Sequence, residues 1–554
     1  MALFAELRRR NVLKVALLYA VASWLLLWFV GATGESFGLP VWTETFLLLL
    51  LAIGFPVALI FAWTYEITPT GLKKAIEVDQ TQSIVYKTGQ KLNAAVAVLL
   101  VLGLLAIVGQ GLLPTFEFLV PGIPEGEPPA SAKAPREIRS LTLDNGLRII
   151  VWPDHDIPNV VMYNFVRAGS RNEYPGITGL SHFFEHMMFN GTTNREPGEF
   201  DRIMEAAGAS INAYTSRDVT VYQDWFPRSA LEVIFELEAD RLENLAIEPE
   251  VVESERGVVY SERRTRIDNN TTRRLREQLY ATAFVAHPYQ FPVIGWPSDI
   301  EAWTHEDLLD YFRTYYAPNN CTMVFTGDIT PKDIFRMAEE YLAPISAQEP
   351  PPPVRTIEPQ QEGARRIAIV TDAQTPLLHI AFHVGSASSP ETLPLNLLLD
   401  ILVGGDSSRL HRLLVEEEQA AISVGGWQDE GFDPGLAYFY LTLPPDGDPV
   451  AVEKRVLEEL ARVATDGVTE EELAKARNIL LADYWRGLAT IDGKASALGS
   501  FEVFNGSYEE LFSLPDRVEA ITADDLQNVA VQFFNVNNMT VGMLTAPADA
   551  GVDQ

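Results

Sequence analysis

A single cysteine, Cys321, in 554 residues leaves no partner for an intrachain disulfide and no thiolate set for a Cys-based zinc site. Its setting, NNCTMVFTGD, reads as a buried strand in which a free thiol packs as a small apolar residue. Basic residues are also scarce: 42 Lys and Arg against 75 Asp and Glu give a formal net charge of −33. Residues 1–135 hold nine of each sign, so the whole excess falls on residues 136–554. A surface that acidic repels nucleic acid and anionic lipid headgroups, which excludes both as partners of the C-terminal part. Disorder is excluded as well, because 47% of the residues are hydrophobic and only 21% charged, enough for two or three cored units.

Long apolar runs are confined to the start of the chain. Residues 15–32, 46–63 and 94–113 each approach the roughly 20 residues that a helix needs to cross a hydrocarbon core. They predict a membrane domain over residues 1–115, with helices at about 12–32, 45–65 and 93–113. A cleaved signal peptide would need a small-residue site before the mature domain, and here two further spans follow instead. Arg8, Arg9, Arg10 and Lys14 precede the first span, and Lys73, Lys74, Lys87 and Lys91 lie between the second and third. The loop 33–44 has no basic residue, so the N-terminus is expected in the cytoplasm and residues 116–554 outside it. This predicts a multi-pass protein of the inner membrane with a periplasmic domain. Trp28 and Trp42 would mark the outer interface, Trp63 and Tyr65 the inner one. The segments FAELRRRNVLKVALLYAVASWLLL and GFPVALIFAWTYEITPTGLKK resemble a membrane region that precedes assorted soluble domains in bacterial signalling proteins. A Pro-rich tether, 116–136, follows.

Beyond the tether the chain repeats itself. THEDLLDYFRTYYAPNNCTMVF from Thr304 matches TADDLQNVAVQFFNVNNMTVGM from Thr522, 218 residues later and without a gap. Each copy reads as a Thr-capped helix with an acidic first turn, an Asn-Asn turn and an apolar strand. A Pro-rich linker, 347–358, falls between the copies and divides domains at 137–346 and 359–548, with a tail at 549–554. In the first domain, EIRSLTLDNGLRIIVWPD predicts a hairpin through Asp144-Asn145-Gly146, and VVMYNFVRAGS, INAYTS and VTVYQDWF predict strands. Helical periodicity runs through GLSHFFEHMMF, GEFDRIMEAAG, RSALEVIFELEADRLENL and EVVESERGVVYSERRTRI. The mixture indicates duplicated α+β domains, each a largely antiparallel sheet covered by helices.

Of eight histidines, only His182 and His186 sit four apart in a helical pattern beside a carboxylate, Glu185. Positions i and i+4 share a helix face, so both imidazoles reach one ion. A catalytic zinc needs a third protein ligand and an open fourth position. Glu255 and Glu262, seven apart on a later helix, both offer a carboxylate, and the donor set favours zinc over manganese or cobalt. His379 and His383 alternate as in a strand and read as structural, and His287 reads as a packing or turn residue.

The HxxEH order, followed by GASINAYTSRDVTVYQDWF, ERGVVYSE, HPYQFPVIG, YYAPNN and VGGDSSRL, closely resembles the M16 (pitrilysin and insulinase) zinc peptidases, especially the processing-peptidase branch. The resemblance spans nearly all of residues 137–548. It implies that His182, His186 and Glu262 bind one Zn2+, that Glu185 is the catalytic base and that Glu255 supports the site. It further implies that peptides or unfolded segments add as a strand along Asn212, Ala213 and Tyr214. At the repeat spacing His182 corresponds to Asp400, so the second domain is expected to be non-catalytic. Many members carry an Arg and a Tyr, seven apart, after the Ser-Ser-Arg-Leu turn. Here Val415 and Ile422 stand at those positions, which implies a dimer, specifically a heterodimer whose partner supplies the pair unless Arg409 or Arg412 replaces it. The competing readings are a non-catalytic M16-like scaffold and a membrane sensor with a regulatory metal. The intact motif argues against the first, and bound zinc without hydrolysis would favour the second.

Overall fold

The computed structural model describes residues 19, 23, 48, 51, 55, 65–68, 71–74, 135 and 137–547. Contacts divide the chain into two units, 1–128 and 129–554. In the first unit the five isolated described residues are helical, and Tyr19 donates its hydroxyl to the Leu51 carbonyl at 2.9 Å. The rest of the three expected spans lies outside the described residues. Among the described residues no helix is long and apolar enough to cross a membrane. Tyr65, expected at the end of the second helix, instead opens strand β1 (Tyr65–Thr68), which pairs antiparallel with β2 (Gly71–Lys74).

The second unit is built on two sheets. The first has the order β3 (Arg139–Thr142), β4 (Arg148–Pro153), β8 (Cys321–Gly327), β5 (Asn159–Val166), β7 (Thr220–Pro227) and β6 (Ser210–Thr215). The second has the order β11 (Ser423–Gln428), β12 (Leu436–Thr442), β10 (Leu377–His383), β13 (Met539–Thr545) and β9 (Arg365–Val370). Read from the other end, β9-β13-β10-β12-β11 repeats β4-β8-β5-β7-β6. The sheets are mixed rather than purely antiparallel: β8 runs parallel to β4, and β13 parallel to β9. The reason is topological. Each is inserted between two strands of opposite direction, and such a strand must be parallel to one of them.

The sequence repeat lands on this duplication. Thr304 and Thr522 cap helices His305–Tyr315 and Ala523–Phe533 through capping boxes with Asp307 and Asp525. Asn320 donates to the carbonyls of Tyr315 and Arg167, and Asn538 to those of Phe533 and His383. Each Asn thereby ties its helix end to the start of the inserted strand. Cys321 lies buried in β8, where burial pushes its thiol up to about 12.

Each half lends a helix to the other's sheet. Helix α1 (Leu180–Met187), α2 (Pro249–Arg263) and the other first-half elements pack one core on one face of the first sheet. The opposite face, with Ile150, Val161, Tyr163, Phe165 and Val324, is covered by Ala495 and Leu498 of Ile491–Phe504 from the second half. Reciprocally, Leu279, Tyr280 and Ala283 of α3 (Thr271–Ala283) pack on Ala381, Leu436 and Tyr438 of the second sheet. The exchange explains why strands such as β5 and β10 are buried on both faces.

Candidate metal centre

The HxxEH motif, the candidate metal-binding segment, lies on α1. Its Leu180, Phe183, Phe184 and Met187 are buried in the first core, which turns His182, Glu185 and His186 the other way. Gly179, at φ 91°, starts the helix where a Cβ would strike the Ile294 carbonyl. Glu173 accepts hydrogen bonds from the Gly179 and Ser181 amides, both at 2.7 Å, and from the Ser181 hydroxyl at 2.6 Å. It thus occupies donors that the first turn leaves open. Burial pushes Glu173 up to about 7 against the pull of those bonds. Its role in holding this helix is not legible in the sequence, where it is a lone acidic residue eight positions before Ser181.

Glu262 comes from α2, where Val252 and Val259 are buried and bring the Glu255–Glu262 face to the histidines. One oxygen of Glu262 is 3.3 Å from His186 Nε2 and 3.6 Å from His182 Nε2. The three potential ligand atoms lie within 4.8 Å of one another, the one such group of His, Cys, Asp or Glu found among the described residues. His186 Nδ1 meets Glu255 at 2.7 Å, and Asn190 donates to the other Glu255 oxygen at 2.9 Å. Because a carboxylate accepts, Nδ1 carries a proton, and Nε2 is the ring atom that faces Glu262 and His182.

The electrostatics suit a cation. His182 is lowered to about 4, first by burial and then by His186, and so stays neutral; its buried Nδ1 has no hydrogen-bond partner. His186 is raised to about 9, since Glu255 and Glu262 outweigh the effect of burial. Two carboxylates that hold a proton on His186 stabilise positive charge where a metal would replace it. The pKa values of Glu255 and Glu262 are themselves lowered, chiefly by hydrogen bonds from His186. The trio is therefore a chemically matched N,N,O donor set for zinc.

Glu185 stands beside the trio without joining it. Burial raises its pKa, and Thr215 donates to it at 2.6 Å. Thr215, not singled out in the sequence, ends β6 and so fixes Glu185 against the sheet edge. Along β6, Asn212 and Tyr214 are exposed and Ala213 is half-buried, with pairing only to β7. Elsewhere, His379 bonds to the Tyr438 hydroxyl and His383 to the Ala283 carbonyl, inside β10. His287 starts a turn through Tyr289 and reaches Asp433 of the second half at 3.1 Å. Arg409 is bound by both oxygens of Glu472, at 2.7 Å each, which removes it as a free substrate ligand. Val415 packs at the edge of the second core, and Ile422 is 53% exposed.

Fold and site together define duplicated α+β domains with a candidate metal centre, and comparison with known proteins finds them M16-like. Residues 154–295 match the family described as insulinase (peptidase family M16), and residues 302–480 match the peptidase M16 inactive domain. The chain is a homologue of the M16 zinc proteases. It is 28% identical over 410 residues to the zinc protease PqqE of Helicobacter pylori, covering 73% of this chain and 92% of that one. It is 26% identical over 407 residues to the mitochondrial-processing peptidase subunit beta of Lentinula edodes, covering 71% and 86%. A crystal structure of a protease from Helicobacter pylori superposes with a TM-score of 0.71 at 27% identity, over 74% of this chain and 99% of that one. The fold also matches the periplasmic protease PqqL from Escherichia coli, with a TM-score of 0.63 at 20% identity, over 76% of this chain but 50% of that one.

Proposed function

We propose that this chain is a membrane-anchored zinc metalloendopeptidase acting on peptides or unfolded segments outside the cytoplasm. The observation that carries the reading is the convergence of His182, His186 and Glu262, with Glu185 held by Thr215 at the end of an exposed edge strand. His182, His186 and Glu262 would hold a zinc ion, which would supply the Lewis acidity that makes water nucleophilic near neutral pH. Glu185, partly desolvated, takes the proton from the attacking water and returns it to the leaving amine. Glu255 fixes the His186 ring. A substrate in extended form adds to β6, with main-chain hydrogen bonds for affinity, and Asn212 and Tyr214 flank its path.

The anchor rests on the three apolar stretches, and the orientation on the basic residues at positions 8–14 and 73–91. A dimer, and specifically a heterodimer with a second M16-type subunit, is supported by Val415 and Ile422, which cannot donate hydrogen bonds, and by the commitment of Arg409 to Glu472. One homologue is itself named a subunit, and the chain aligns with only half of PqqL. The deciding experiment incubates the purified full-length chain with a peptide library, with and without chelator, and reads products by mass spectrometry. Chelator-sensitive cleavage is expected. Absence of cleavage with zinc bound, alone and with native partners, would refute the peptidase assignment.

A further inference from the structure

Beside the metal centre lies a cavity of about 330 Å³, bordered by His182, Glu262 and Thr215. Its walls come from both halves: α3 from the first, and Trp427 and Asp429 at the end of β11 from the second. Four arginines line it, Arg217, Arg266, Arg273 and Arg276. In a chain of net charge −33 this convergence runs against the general composition, and like charges so gathered repel.

The carboxylates of the cavity are already engaged. Glu277 receives both terminal nitrogens of Arg263, at 2.9 and 3.0 Å. Asp429 accepts the Tyr280 hydroxyl on both oxygens at 2.9 Å and lies 3.9 Å from Arg217, whose guanidinium stacks on the Tyr280 ring at 3.7 Å. Glu262 belongs to the metal trio, and its other oxygen takes Arg266 at 2.9 Å. Arg273 and Arg276 remain. They are exposed, three positions apart on α3, and neither has an ion pair among the described residues. The guanidinium of Arg276 is held 5.8 Å from the Trp427 ring centroid. On the far side of Glu185 a second cavity is lined by Glu185, Asp201 and Glu255, with no Lys or Arg. The two openings that flank the centre thus differ in charge.

We propose that the arginine-lined cavity is a subsite for a substrate carboxylate, carried on an Asp or Glu side chain near the scissile bond, with Arg273 and Arg276 as its specificity determinants. The proposal rests on the peptidase reading. A peptide added to β6 passes Thr215, which borders the cavity, and an extended strand advances only about 3.3 Å per residue. One of its side chains on the inward-facing register therefore enters the cavity within a residue or two of the cleaved bond. Guanidinium groups without a protein anion supply the charge-assisted hydrogen bonds that a carboxylate needs.

The test uses the zinc-loaded full-length chain. Library cleavage is expected to show Asp or Glu at one fixed position from the cut. Matched peptides with Glu or Gln there should differ about tenfold in kcat/KM, and Lys should be worse. Arg273→Glu and Arg276→Glu, both at exposed positions, should reverse the order in favour of Lys while zinc content stays unchanged. Binding of the same peptides to Glu185→Gln, followed by fluorescence anisotropy, should show the same order without turnover. Equal handling of Glu and Gln peptides, or an unchanged order in the charge-reversed variants, overturns the subsite alone. Loss of the preference on C-terminal amidation overturns the side-chain assignment in favour of a terminal carboxylate. No cleavage of any peptide overturns the peptidase reading and the subsite with it.

Discussion

The first half sets Leu180–Met187 against Pro249–Arg263; the second sets Thr392–Val403 against Glu470–Gly487, behind a sheet with the same strand order. In the first pair the facing side chains are His182, His186, Glu255 and Glu262. In the second the helix has no histidine, and Leu397, Leu398, Ile401 and Leu402 are buried with Leu473 and Ala476. Its one carboxylate, Asp400, is pushed up to about 6 by burial and by Asp483. The fold needs only the buried apolar face of these helices, so the opposite face can be polar or apolar without changing topology. The site is a choice made on one copy of a scaffold that both copies share.

Breaking the polar copy should cost most. Glu185→Gln is expected to lower kcat by about 10²–10⁴-fold while zinc remains bound, because a general base is lost and no ligand is. Glu262→Gln should lose metal as well, and chelation should abolish wild-type turnover until zinc is returned. Metal content and peptide turnover, measured on the same preparations, separate these cases. Wild-type turnover in Glu185→Gln would show that another group is the base.

A smaller effect is expected one layer out. Glu255→Gln removes the full negative charge that holds His186 Nδ1–H, and zinc affinity should fall about 10–100-fold. Competition with a fluorescent chelator gives the constant; an unchanged value would reduce Glu255 to a surface carboxylate.

The helix exchange can be tested from the second half. A Cβ at Gly499 would enter the Phe165 ring of the first sheet, so Gly499→Ala should destabilise by about 1–3 kcal/mol through overpacking. Denaturant unfolding would show a lower midpoint with little change in zinc affinity measured under native conditions. A midpoint equal to wild type would mean that the two halves are not locked face to face at this point.

The smallest effect concerns the apolar copy. Asp400 has a folded pKa of about 6, above its ordinary value of 3.8. The folded state therefore holds the proton more tightly, and the stability that this provides is lost as pH rises from about 4 through 6. Asp400→Asn has no such loss, so the variant should gain Tm relative to wild type between pH 5 and 7. A constant difference across that range would contradict the raised pKa.

Much of this was legible in one chain of letters. His182, Glu185 and His186 announce themselves by i, i+3 and i+4 spacing on a short helix whose other face is Leu180, Phe183, Phe184 and Met187. The Thr304 and Thr522 repeats predicted the capped helices and the apolar strand after each, since these are local properties, but not that the strands are inserted between two others. Thr215 escaped notice because it acts on a helix thirty residues away, and Glu173, though its partners are near in sequence, because an isolated Glu has no distinctive spacing. The parallel pairs escaped for the same reason: local pattern marks a strand but not its neighbour.

What the sequence alone determined is the periodicity that makes each helix and strand, the duplication, the uneven charge and the candidate donors His182, His186, Glu255 and Glu262. Those follow from side-chain chemistry within a few residues. Only the tertiary structure decided that Glu262 meets both histidines, that each half covers the other's sheet, and that Arg273 and Arg276 face Trp427 beside the metal centre. These are contacts between residues far apart in sequence, fixed by the packing of apolar faces that local pattern leaves free to pair in several ways.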